Sequence, residues 1–128
     1  MPERHTIEAL LDAARTRFER LEPQAAFAAQ TAGALLVDTR CAELRRSDGV
    51  IPGSVHVPLS VLYWRLDSTS GFADPQFTDL ERRVVLFCAD GYSSSLAAAT
   101  LLDLGFTRAT DIVGGFAGWA AAGLPIEA

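Results

Sequence analysis

The sequence predicts an α/β fold in which helices flank a mainly parallel central sheet. Three observations carry that prediction. Residues 34–38 (ALLVD) and 84–89 (VVLFCA) are short, nearly unbroken apolar runs, the pattern of strands buried on both faces of a parallel sheet. Segments with apolar residues at helical spacing lie before, between and after such runs, so strands alternate with helices. Glycine and proline turn signals close most of these segments.

Taken in order, residues 6–21 read as an amphipathic helix. Ile7, Leu10, Leu11, Ala14, Phe18 and Leu21 recur at helical spacing behind Thr6, whose hydroxyl suits an N-cap. Pro23 suits the first turn of a second helix reaching about Gln30, and Gly33 suits its C-terminal cap. The first strand follows at 34–38. Residues 39–53 read only as a polar stretch around an Ile51-Pro52-Gly53 turn. Residues 54–57 predict a second short strand closed by Pro58, and 60–66 a helical piece carrying Tyr63, Trp64 and Arg65. Residues 67–79 predict an exposed loop, being rich in Ser, Thr, Gly, Asp and Pro. After the strand at 84–89 come Asp90 and Gly91, then an alanine- and leucine-rich helix over 93–104 ended by Gly105. A strand at 109–113 and a helix at 115–122 complete the pattern, with right-handed crossovers expected.

A length of 128 residues predicts one domain over 1–128, with no internal repeat or linker. Such a chain buries about two-thirds of the surface that its unfolded form exposes, so no disulfide or metal staple is needed. The net charge is -5, and all 11 basic residues are arginine, without clusters that would suit nucleic acid or an anionic membrane. Residues 1–10 lack the apolar core of a secretory signal, and no apolar run reaches membrane-spanning length. A cytoplasmic location is therefore expected. There Cys41 and Cys88 are expected as free thiols; neither belongs to a CxxC pair, and with His5 and His56 as the only histidines no metal site is expected.

Cys88 is the candidate functional residue. It falls near the carboxyl end of the most strand-like segment, where α/β folds bind ligands. A turn through Gly91 and a helix start at about Ser93 follow it. The first amides of a helix have no intrahelical partners, and the helix dipole places partial positive charge beside them. Both favour thiolate over thiol. The competing reading is a buried cysteine acting as a small hydrophobe. The Gly and three serines of DGYSSS (90–95) suit an anion-cradling loop better than a plain strand exit.

Four segments in order resemble the rhodanese-like family, over about residues 24–126. LLVDTR (35–40) resembles the first-strand motif, and GVIPGSVHVPLS (49–60) the turn and second strand, with Val50 where the family pattern has histidine. VLFCADGYSS (85–94) resembles the active-site strand, loop and helix start. VGGFAGWAAAGLPI (113–126) resembles the closing segment. The resemblance implies a three-layer fold and a sulfurtransferase that works without a cofactor. Cys88 would accept sulfane sulfur as a persulfide from a small donor (thiosulfate, mercaptopyruvate or a persulfide) and pass it to a thiol or cyanide. The loop would comprise Cys88, Ala89, Asp90, Gly91, Tyr92 and Ser93, with Ser94 following. Asp38 would support the structure, and Arg40 would lie near the loop and attract an anionic substrate. The helix at 6–21 lies outside the family core; packing on the fold is its simplest role, and an oligomer contact the other.

Two departures from the family pattern matter. Thiosulfate-using members commonly carry Arg or Lys in the loop, often at the position of Ser93, whereas this loop has no cation and contains Asp90. Ser93 resembles the hydroxyl residue of mercaptopyruvate sulfurtransferases, which predicts slow thiosulfate turnover. Related phosphatases use Cys-x5-Arg, but the sixth residue after Cys88 is Ser94, so phosphatase activity is not expected. A redox-sensing or binding module, with Cys41 as a resolving thiol, is the alternative to sulfur transfer. Among other residues, His56 is expected to be structural, His5 solvated and Trp119 in the core. Tyr63 and Trp64 suit a packed helix face, Arg65 is a candidate to meet substrate, and Tyr92 to shape access to the sulfur.

Overall fold

The computed structural model describes residues 3–128. Helices α1 (Ile7–Arg15) and α2 (Pro23–Thr31) precede strand β1 (Leu35–Asp38). Helix α3 (Ala42–Asp48), strand β2 (Val55–His56) and helix α4 (Leu62–Leu66) lead to a 3-10 turn at Pro75–Phe77. Strand β3 (Val84–Phe87), helix α5 (Ser93–Asp103), strand β4 (Thr110–Asp111) and helix α6 (Gly115–Ala121) follow. Among the described residues the four strands form one sheet, all paired in parallel, in the order β2-β1-β3-β4.

The two central strands explain the unbroken apolar runs. Every residue of β1 and β3 is buried, because both faces of the sheet are covered. Side chains alternate across the sheet. Leu35, Val37, Val84 and Leu86 meet Leu62 and Leu66 of α4 and Ala97, Ala98 and Leu101 of α5. Leu36, Val85 and Phe87 meet Ala26 and Ala29 of α2 and Phe116 and Trp119 of α6. The register pairs Leu36 with Val85 and Val37 with Leu86, so each face is continuous across the two strands. Trp119 is fully buried, with its indole N–H donating to the Pro125 carbonyl at 2.8 Å. Helix α1 packs on α5.

Three differences from the sequence reading have physical causes. Thr6 caps α1 as expected, accepting from the Ala9 amide at 3.1 Å, but the helix ends at Arg15 rather than near residue 21. Leu21 instead bridges Ile112 at the sheet edge, its amide donating to the Asp111 carbonyl at 3.0 Å, while Phe18 packs on the core as a single residue. Apolar spacing therefore continued past the helix for two other reasons. Helix α3 was not anticipated, and none of its residues is buried, so it carries no apolar stripe to read. The 67–79 segment holds the short 3-10 turn, capped by Asp74 accepting from the Gln76 amide at 3.0 Å. No helix among the described residues is long and apolar enough to cross a membrane.

Candidate active site

Cys88 is the first residue past β3 and only 8% exposed. The chain turns back at Gly91, whose φ of +87° lies in the region that glycine occupies without penalty. That turn aims the Gly91 amide at the Cys88 sulfur, 3.1 Å away. The loop is held from outside by the start of α6. The Phe116 amide donates to the Cys88 carbonyl at 2.8 Å, and the Ala117 amide to the Ala89 carbonyl at 3.0 Å. Such close approach needs Gly115, where a Cβ would stand 2.5 Å from the Cys88 carbonyl oxygen. The glycine pair at the start of α6, Gly114 at its N-cap and Gly115 as its first residue, is thus the other half of the loop's geometry, which explains two distant sequence motifs as one structure.

Around the sulfur, the Ser94 hydroxyl lies 3.4 Å from Sγ. Burial pushes the Cys88 thiol up. Hydroxyl contacts from Ser94 and Ser93 and amide contacts from Ser94 and Gly91 together outweigh it, leaving the thiol below its ordinary value. The expectation of a thiolate-favouring cradle at the start of α5 therefore has a geometric basis, with serine hydroxyls contributing ahead of the amides.

A second layer of residues escaped the sequence reading. Asp111, the last residue of β4, is fully buried beside the loop. Its Oδ2 accepts from the hydroxyls of Ser94 at 2.8 Å and Ser95 at 2.7 Å. Arg20 donates from Nε to Asp111 Oδ1 at 2.8 Å and from Nη2 to Oδ2 at 3.2 Å. The same Nη2 reaches the Gly91 carbonyl at 3.0 Å. Arg15 at the end of α1 donates to that carbonyl at 2.8 Å and to Ser95 Oγ at 3.0 Å, with its guanidinium 5.8 Å from the Tyr92 ring centroid. The only hint in the sequence was an aspartate inside a segment, residues 109–113, that otherwise reads as a strand.

On the other side of β3, Asp38 at the end of β1 is fully buried and paired with Arg40, whose Nε and Nη2 donate to its two oxygens at 3.0 and 2.8 Å. Arg45 adds a bond to Oδ2 at 3.1 Å. The expectation that Arg40 attracts an anionic substrate is corrected by its geometry. Its guanidinium is buried, spends Nη2 also on the Gly49 carbonyl at 2.9 Å, and lies over the Phe116 ring, 3.9 Å from the centroid. Its Nη1 has no hydrogen-bond partner among the described residues, a deficit that the ring face offsets.

The remaining candidates separate cleanly. His56 bonds the Arg40 carbonyl through Nε2 at 2.7 Å, a structural contact. Tyr63 packs on the core, whereas Trp64 is half exposed, contrary to a packed face. Arg65 pairs with Asp74 at 3.3 Å. Cys41 is exposed at the N-cap of α3, His5 is exposed, and so are Asp90 and Tyr92 of the loop. Beside the loop, Ile7 and Leu11 of α1, Leu96 of α5, Tyr92 and Ser93 line an open, mainly apolar pocket of about 410 Å³, with Glu8 as its one charged wall residue.

A parallel α/β sheet with a cysteine cradled at the carboxyl end of a central strand defines a class, and comparison with known proteins gives it a family. The chain matches the rhodanese-like domain family over residues 22–122. It is 38% identical over 106 residues to the thiosulfate sulfurtransferase GlpE of Pseudomonas savastanoi pv. phaseolicola, covering 83% of this chain and 91% of that one. It is 36% identical over 104 residues to GlpE of Pseudomonas syringae pv. syringae, covering 81% and 89%. A solved structure from Rhodopseudomonas palustris, described as a protein of unknown function and possible tyrosine phosphatase, superposes with a TM-score of 0.89 at 36% identity, covering 99% of both chains. The chain belongs to the rhodanese-like family. Within it, the protein is a sulfurtransferase of the rhodanese type.

Proposed function

We propose that this sulfurtransferase carries sulfane sulfur as a persulfide on Cys88, acting as one domain over residues 1–128 in the cytoplasm. The observation that carries the reading is the Cys88 sulfur itself, which takes the Gly91 amide at 3.1 Å and sits beside the Ser94 hydroxyl. Those contacts suit a thiolate and equally the terminal sulfur of its persulfide. In the first half-reaction, the Cys88 thiolate attacks the transferable sulfur of the donor, the outer sulfur of thiosulfate or a persulfide or the thiol sulfur of mercaptopyruvate. A new S–S bond forms, the donor's bond to that sulfur breaks, and its electron pair leaves with sulfite, pyruvate enolate or a thiolate. In the second, a thiolate or cyanide acceptor attacks the outer sulfur and returns Cys88 as thiolate. No cofactor takes part. Ala89, Asp90, Gly91, Tyr92, Ser93 and Ser94 form the substrate loop, with Asp38 and Arg40 supporting it from the β1 side.

The donor we favour is a persulfide or a mercaptocarboxylate over thiosulfate. Asp90 is exposed on the loop, Arg20 is paired with Asp111, and Arg15 and Arg20 both spend donors on the Gly91 carbonyl. A dianion gains little there, and the neighbouring pocket walls are mainly apolar. Steady-state kinetics test the preference: kcat/KM for 3-mercaptopyruvate or an organic persulfide should exceed that for thiosulfate, and the reverse order rejects it. A phosphatase reading lacks its key group. Ser94 stands where the phosphate-binding arginine belongs, and Arg15 and Arg20 are bound to the Gly91 carbonyl instead.

A further inference from the structure

The segment before the family-matching region reaches the site through Arg15 and Arg20, which both donate to the Gly91 carbonyl. Ser94 has one hydroxyl proton and two claimants for it: Asp111 Oδ2 at 2.8 Å and the Cys88 sulfur at 3.4 Å. With Cys88 as thiol, Ser94 accepts the S–H and donates to Asp111. When the thiol proton leaves to water, the sulfur becomes a strong acceptor and has no proton of its own to offer Ser94. Asp111 can release the Ser94 hydroxyl because Ser95, at 2.7 Å, and Arg20, through both oxygens, keep the carboxylate satisfied.

We propose that Asp111 and Arg20, steadied by Arg15, are positioning residues that decide whether the Ser94 hydroxyl points at the carboxylate or at the Cys88 sulfur. The proposal rests on Cys88 being the sulfur carrier and adds what tunes it. Asp111 draws the proton away and restrains the acidity of Cys88. Arg20 weakens that pull and makes the switch available. The balance has a chemical use, since a thiol made too acidic loses nucleophilicity as a thiolate. The same arginine ties the switch to the loop, because Nη2 also holds the Gly91 carbonyl, one peptide from the amide that faces the sulfur.

The charged and titratable groups around the pair are few. Asp90 and Tyr92 belong to the loop and are exposed. Arg15 comes from α1, and Asp38 with Arg40 closes the β1 side. Helix α6 contributes none, and the only one on α5, Asp103, stands at the helix's far end.

The test is the pH dependence of Cys88 alkylation by iodoacetamide in a Cys41→Ser background, which reads the thiolate without requiring sulfur transfer. Asp111→Asn should move the midpoint to lower pH, because the amide donates to Ser94 Oγ and leaves its proton for the sulfur. Arg20→Gln should move the midpoint to higher pH and slow alkylation severalfold below it. In a Ser94→Ala background both shifts should shrink by more than half, which separates hydroxyl routing from simple charge effects. A merely structural pair would lower the melting temperature in both variants without opposite midpoint shifts. Should Asp111→Asn fail to fold, Arg20→Gln and its Ser94→Ala double variant still decide the matter. Shifts of the same sign, no shift, or shifts untouched by Ser94→Ala overturn the proposal. Loss of sulfur loading alongside the predicted shifts would reject the persulfide reading and leave the positioning pair standing.

Discussion

Asp38 and Asp111 end the two strands that flank β3, and each is a fully buried carboxylate bound through two nitrogens by an arginine. Cys88 leaves the sheet between them. Their chemistry is the same and their connections are not. Asp38 takes Arg40, the Arg40 amide and Arg45, and through Arg40 it ties the end of β1 to the Gly49 carbonyl. That network closes on backbone. Asp111 takes Arg20 and two serine hydroxyls, one of which touches the Cys88 sulfur. That network opens onto the reacting atom. A buried ion pair is thus structural or functional according to what its spare acceptor positions hold, and burial alone does not distinguish the two.

The contrast can be challenged by substitution. Asp38→Ala leaves the Arg40 guanidinium buried without its partner, which costs about 3–5 kcal/mol. Urea unfolding should show that loss, while the midpoint of Cys88 alkylation stays where it was at temperatures where the variant is folded. A moved midpoint would mean that the β1 side is also wired to the sulfur. Gly115→Ala probes the frame shared by both sides. Its Cβ would meet the Cys88 carbonyl oxygen at 2.5 Å, so the loop must shift, and thiol reactivity should fall together with stability.

Ser94→Ala acts on chemistry more than on stability. It removes the largest of the contacts that lower the Cys88 thiol, so the alkylation midpoint should rise. Alkylation is fast above the midpoint, where the thiolate dominates, and falls as pH drops through it; the variant should lose rate first near neutral pH. An unchanged midpoint would show that the amides and the Ser93 hydroxyl suffice to hold the thiolate. The smallest effect is expected at Arg17–Asp103, an ion pair at 2.6 Å whose side chains are 42% and 67% exposed. Asp103→Asn should leave both thermal melting and alkylation unchanged, since water screens that pair.

Much of this was legible in the sequence, for identifiable reasons. Strands β1 and β3 announced themselves because covering both faces of a sheet forces unbroken apolar runs. Cys88 and its loop were legible because a thiolate cradle needs a strand end, a glycine and a helix start in immediate succession. Helix α3 was not, since it buries no residue and so imposes no pattern. Asp111 and its partners were not, because their partnership spans the chain: Arg20 and Asp111 are 91 positions apart, Arg15 and Gly91 are 76 apart, and Ser94 and Asp111 are 17 apart. No local spacing encodes such contacts. Arg40 was legible as a residue and misread as a role, because sequence placed it near the loop without showing which way its guanidinium turns.

The central claim is that Cys88 carries the sulfur, and intact mass spectrometry tests it most directly. The protein, with Cys88→Ser and Cys41→Ser variants beside it, would be incubated separately with thiosulfate, 3-mercaptopyruvate and an organic persulfide, then exposed to cyanide or a thiol. The predicted result is a gain of one sulfur atom in the wild type and in Cys41→Ser, none in Cys88→Ser, and its loss on adding the acceptor. Sulfur gained by Cys88→Ser, or none gained from any donor while Cys88 still alkylates as a thiolate, would contradict it.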